Sequence, residues 1–107
     1  MSERKKKIRS RFRESVFKRD GYQCVFCDEV EDLDAHHITD RTEMPNGGYV
    51  KENGITLCAD HHMMAEQFHI SGGTKWVANM HPEDLYHMIG SSKELAIQQS
   101  ELLEKKF

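Results

Sequence analysis

The stretch from Asn53 to His69, NGITLCADHHMMAEQFH, decides how this chain folds. Ile55-Thr56-Leu57 follows the turn-forming Asn53-Gly54 and predicts a short strand. From Ala59 to His69 no Gly or Pro interrupts a run of good helix formers, which predicts a helix. Cys58 and His61, at i and i+3, share one side of its first turn. His62 points about 100° away from His61. Glu66 and His69 follow His62 at i+4 and i+7 and share its face. One helix therefore presents two polar sets in two directions.

Moving toward the N-terminus, Leu33 to Ile38 predicts a second short strand that ends in the doublet His36-His37. Between the strands, Thr39 to Gly54 holds Pro45 and Asn46-Gly47-Gly48 and predicts loop. Cys24-Val25-Phe26-Cys27 lies further upstream. Ile8, Phe12 and Val16 recur at i, i+4 and i+8, which predicts a helix over 8–19. Asp20-Gly21 stops it, and residues 1–7 are expected to be mobile. Beyond Ser71-Gly72-Gly73, Pro82 to Ile89 predicts a short helix with Pro at its first position. Ser91-x-x-Glu94 predicts a capping box opening a last helix to Lys106. On it Leu95/Leu102 and Ala96/Leu103, each seven apart, are expected to face the core, with Leu95/Leu102 the alternative dimer contact.

The 107 residues are 37% hydrophobic and 31% charged, so the core is thin. Net charge is −3, but residues 1–19 carry +7 and the remainder −10. A basic arm on an acidic body points to an anionic polymer as partner. No apolar run is long enough to cross a membrane. Three cysteines, an odd number, exclude a complete disulfide framework. The CxxC of Cys24/Cys27 and the CxxH of Cys58/His61 have the spacing of a closed tetrahedral zinc site. Buried free thiols are the simpler alternative, but a core this thin needs a staple.

These motifs resemble the HNH endonucleases of the ββα-metal superfamily. The resemblance runs from Arg19 to His69 and rests on Cys24-x-x-Cys27, Leu33-Asp34-Ala35-His36-His37-Ile38, Asn53-Gly54-Ile55-Thr56-Leu57-Cys58 and Cys58-x-x-His61-His62. It implies an α+β fold: a small ββα-metal core with a zinc knuckle, an N-terminal helix and two C-terminal helices. The whole chain, 1–107, is then one nuclease domain, with a basic arm and helix at 1–19, the core at 20–69 and a helical extension at 74–107. The resemblance makes His36 and His62 ligands of a catalytic divalent ion, Mg²⁺ or Mn²⁺ by expectation. It makes His37 the general base, with Asn53 fixing the base or the metal. Structural zinc goes to Cys24, Cys27, Cys58 and His61, where His61 replaces the cysteine usual in many knuckles.

The implied activity is one-metal hydrolysis of DNA phosphodiesters by an endonuclease or nickase, leaving 5′-phosphate and 3′-hydroxyl ends. A non-catalytic zinc-stabilised DNA-binding module is the alternative. Glu66 and Asp34 are candidates to support the ligands from behind, although Glu66 and His69 read first as an ordinary polar helix face. Lys5, Lys6, Lys7, Arg9, Arg11, Arg13 and Arg41 are the DNA-contact candidates. Tyr22 and Phe26 are expected to pack around the knuckle. A cytoplasmic, bacterial or phage-encoded setting is expected, with DNA as partner, no membrane, and a homodimer or a larger DNA-processing complex left open.

Overall fold

The Ile8–Phe12–Val16 spacing does make a helix, and in the computed structural model, which describes residues 2–106, it is longer than that spacing marks. Helix α1 runs from Glu3 to Arg19. Ser2 caps it by accepting the Lys5 amide at 3.2 Å. Glu3 in the first turn and Lys18 and Arg19 in the last complement the helix dipole. Residues 3–7, expected to be mobile, are thus helical. The cap and the charges decide the start here, not the apolar stripe. Phe12, Val16 and Phe17 are buried.

Strand β1 (Asp34–His37) pairs antiparallel with β2 (Gly54–Leu57), matching His36 to Ile55 and His37 to Gly54. Three single turns, Arg41–Glu43, Pro45–Gly48 and Lys51–Asn53, fill the connection. α1 crosses directly over β2. A Cβ on Gly54 would lie 2.5 Å from Val16 and 2.8 Å from the Phe12 ring, so only glycine permits that approach. Asp20, the C-cap of α1, locks the crossing by accepting the Thr56 amide at 2.9 Å while pairing with Arg19 at 2.8 Å.

Helix α2 (Ala59–Ile70) leaves β2 through Cys58. Helices α3 (Pro82–Met88) and α4 (Lys93–Lys106) close the far side. Ile38, Ile55, Leu57, Ala65, Met80, Leu85, Tyr86 and Ala96 form one buried cluster. At α4 two expectations change. Leu95 N donates to Ser92 Oγ at 3.1 Å, so Ser92 caps the helix, while Ser91 Oγ turns to Glu52 O. Ala96 and Leu103 are buried, but Leu95 and Leu102 remain 37% and 38% exposed. A helix lying on a thin core offers it one narrow stripe, and one of the two pairs falls outside it.

Candidate metal centres and active site

Two side-chain clusters meet at the N-terminal half of α2. The first joins Cys24 and Cys27, from the segment after α1, to Cys58 and His61. Sγ of Cys24 and of Cys58 lie 3.6 and 3.2 Å from His61 Nδ1, and Cys27 Sγ lies 3.9 Å from Cys58 Sγ. Tetrahedral ligands at zinc bond lengths stand about 3.8 Å apart for two sulfurs and about 3.5 Å for sulfur and nitrogen. The four residues are therefore positioned to bind a metal ion, and the set is compatible with a zinc knuckle. The Glu29 backbone contact lowers the Cys27 thiol, but burial and the neighbouring sulfurs outweigh it and push the thiol up to about 11. Three sulfurs this close could all ionise only with a cation between them.

Phe26 stacks on His61 with ring centroids 5.4 Å apart. Tyr22 does not join it. Its hydroxyl bonds Glu14 and its ring tilts against Phe17, because a positive φ at Tyr22 turns it back onto α1.

The second cluster spans β1 and α2. His36 Nδ1 lies 3.1 Å from Glu66 Oε1, and His62 Nε2 lies 3.3 Å from the same oxygen. Ligands at about 2.1 Å and right angles would stand about 3.0 Å apart, so the spacing suits a divalent ion. His36 Nδ1 is buried and, despite its nearness to Glu66, makes no directed hydrogen bond among the described residues. Burial holds the His36 imidazole below its ordinary pKa. Its contact with Glu66 draws that carboxyl down to about 2. A neutral imidazole beside an ionised carboxylate is the protonation state a cation needs. Asp34 Oδ2 stands 3.3 Å from His62 Nδ1, the ring nitrogen that does not face Glu66.

His37, next along the strand, faces the other way. Its ring stacks on Phe12 at 4.5 Å and meets Tyr49 edge-on at 4.8 Å. Alternation would separate His36 from His37, but β1 ends at His37. A cleft of about 220 Å³ wraps that strand end and is lined by both residues, together with Asp40, Arg41, Tyr49, His62, Glu66 and His69. His37 Nε2 is buried and has no partner among the described residues. Burial, then His36 and Arg41, push His37 down to about 4, so its imidazole is neutral at physiological pH. His69 Nε2 donates to the His37 carbonyl at 3.1 Å and holds the strand end in place.

Asn53 stands apart from the cleft. It is fully buried; its Oδ1 accepts from the Thr39 amide at 3.0 Å and from the Tyr86 hydroxyl at 2.7 Å. Its Nδ2 donates to Thr39 O at 3.1 Å and Gly48 O at 3.2 Å. All four hydrogen-bonding positions are used. Asn53 therefore bolts the segment after His37 to the start of β2 and has no free atom for a metal or a base.

Of the cationic candidates, Arg41 lines the cleft, and Lys5, Arg9 and Arg41 line an adjoining groove. Lys6, Lys7, Arg11 and Arg13 line neither. Arg13 instead donates to Leu33 O and lies 4.8 Å over the Phe17 ring. Glu66 and His69, read first as an ordinary helix face, both point into the cleft, as their shared spacing with His62 allowed. Tyr49 and the Phe12–His37 stack had no signal in the sequence: each depends on a contact between distant segments.

Two short antiparallel strands running into a helix, with ligand candidates on the first strand and on that helix, define a ββα-metal type of core. Residues 24–71 match the family model for HNH endonuclease, the family that the motifs resemble. No curated protein and no solved structure matches the chain. Among the described residues no helix is long and apolar enough to cross a membrane.

Proposed function

We propose that the chain is a metal-dependent endonuclease or nickase that hydrolyses DNA phosphodiester bonds, with residues 1–107 acting as one nuclease domain. The observation carrying this reading is that His37, whose buried Nε2 has no partner among the described residues, lines the same cleft as His36, His62 and Glu66. Cys24, Cys27, Cys58 and His61 would hold structural zinc. His36, His62 and Glu66 would hold a second divalent ion, which supplies a Lewis-acid charge beside the phosphate. Two imidazoles with one carboxylate suit a first-row transition ion better than Mg²⁺.

His37 is the proton acceptor. Its neutral Nε2 takes a proton from water as the water oxygen bonds to phosphorus and the bond to the 3′-oxygen breaks; that oxygen takes a proton from solvent to become the 3′-hydroxyl, and a bound divalent ion would offset its negative charge. Phe12 and Tyr49 fix the ring's plane, and His69 fixes its backbone. Asp34, by engaging His62 Nδ1, leaves Nε2 of that ring directed at Glu66. Arg41 supplies a counter-charge for the phosphate. Glu66 thus serves as a third ligand, and Asn53 as framework.

The test is incubation of supercoiled plasmid with zinc-loaded protein while Mn²⁺, Ni²⁺ or Mg²⁺ is titrated. The expected result is nicked or linear plasmid with wild type and supercoiled plasmid with His37→Ala. Wild-type protein that binds plasmid and never cuts it with any ion would replace this reading by the non-catalytic DNA-binding module.

A further inference from the structure

Beside the cleft lies a larger groove of about 730 Å³, bounded by the N-terminal half of α1, the 41–49 segment and Leu103 of α4. We infer that this groove holds an unpaired nucleic-acid strand running on from the scissile phosphate, so that the substrate is single-stranded or locally unpaired. The inference rests on the nuclease reading of the cleft and adds the form of its substrate.

Four observations converge. First, Arg4, Lys5, Arg9 and Arg41 line the groove, no acidic residue lines it, and none of the four pairs with a carboxylate among the described residues. On a chain of net charge −3, that is a concentrated attraction for phosphate. Second, the groove is concave, with Ile8 offering apolar surface among the cations and the edge of buried Leu103 behind it. A duplex keeps its bases inside and presents a convex backbone, so it would touch only the rim. A flexible strand can lay phosphates on the cations and a base on the apolar wall, the combination found in single-strand binding grooves.

Third, Arg41 and Tyr49 line both the groove and the cleft, so the two are continuous. Arg41 donates to the Tyr49 hydroxyl at 3.3 Å, and the Arg9 guanidinium lies 5.9 Å over the Tyr49 ring. Two guanidinium groups thus gather at the junction, where the phosphate next to the scissile one would pass. Fourth, the wall is preformed. Asn46 and Gly47 both take positive φ, and a Cβ on Gly47 would lie 2.6 Å from the Tyr49 ring. Asn46 Nδ2 ties the segment to Ser100 O of α4 at 3.0 Å.

The experiment is fluorescence anisotropy with zinc-loaded full chain in a His37→Ala background, so that no cleavage intervenes. The probe is one mixed-sequence oligonucleotide, used alone or annealed to its complement. The expected result is single-strand binding about tenfold tighter than duplex binding at the same salt, in keeping with the strength of base contacts in such grooves. Ile8→Gln should remove about tenfold from single-strand affinity and leave duplex affinity unchanged. Arg9→Ala should lower single-strand affinity and reduce its salt slope by about one. Circular dichroism melts establish that the variants fold. Equal or tighter duplex binding, no detectable binding of either probe, or an Ile8→Gln loss shared by both probes overturns the inference. Because no step involves cutting, a single-strand preference can stand even where wild-type protein fails to nick plasmid. Wild-type protein that binds the single-stranded probe and cuts neither it nor plasmid with any of the ions refutes the nuclease reading by itself.

Discussion

Asn53→Ala separates framework from chemistry. The substitution strips partners from the Thr39 amide, the Thr39 carbonyl and the Gly48 carbonyl, all gripped by the buried Asn53 amide. The Tyr86 hydroxyl keeps one contact, 2.6 Å from Thr39 Oγ1. Three backbone groups are then left short, at about 1–3 kcal/mol each when buried and unsatisfied. The space vacated by the amide admits water, so the low end applies and the loss is about 3 kcal/mol. That is a large share of the ~5–15 kcal/mol total stability of a domain. At about 4–8 °C per kcal/mol for a chain near this size, Tm should fall by roughly 12–24 °C. The assay is thermal denaturation by circular dichroism with zinc present, alongside plasmid nicking well below both midpoints. An Asn53→Ala protein that melts within about 3 °C of wild type, yet has lost cleavage, would refute the framework role and return Asn53 to the base or the metal.

Two further outcomes follow from the cleft and the knuckle. With His37 held down to about 4 by burial, it stays neutral as pH falls through the ordinary histidine range, and it stops accepting protons only below that. The acid limb of kcat/KM should accordingly lie near 4, about two and a half pH units below the usual histidine value of ~6.5. A limb centred at about 6.5 or higher would assign the proton acceptor to another group. Zinc removal should abolish the cooperative melt, since structural zinc contributes on the order of 10 kcal/mol of folding energy in small domains. Metal analysis should find one tightly held zinc per chain, and Cys27→Ser should lose it. A chelated, zinc-free protein with an unchanged melting midpoint would dissolve the knuckle.

Much of the site was legible because short-range spacing encodes it. Cys24/Cys27 and Cys58/His61 are local pairs, and His62, Glu66 and His69 fall on one helical face by arithmetic alone. The doublet His36-His37 announced chemistry, and its end-of-strand position explained how two neighbours could serve one cleft. What the spacing could not show depends on partners far along the chain. Asn53 is saturated by Thr39, Gly48 and Tyr86, and nothing near Asn53 in sequence indicates that a tyrosine from α3 will claim its oxygen. Phe12 reads as a core residue of a helix, and its stacking on His37 exists only because Gly54 lets α1 lie flat on β2. The same holds at α4, where the heptad spacing of Leu95 and Leu102 is satisfactory in isolation. Only the narrow contact stripe decides against them.

The helix α2 carries His61 for one cluster and His62 for the other, on consecutive residues of the same turn. Its first turn is anchored through Cys58 and His61, so a chain without zinc loses the anchor nearest His62 and keeps only Ala65 in the core and the His69 bond to the His37 carbonyl. On the proposed reading, the two sites load in sequence: the ion that never meets substrate must arrive before the ion that does has a place to bind. Newly synthesised chains would then be inert by default. A cell could set how much active nuclease it holds through its zinc supply, without changing how much of the chain it makes.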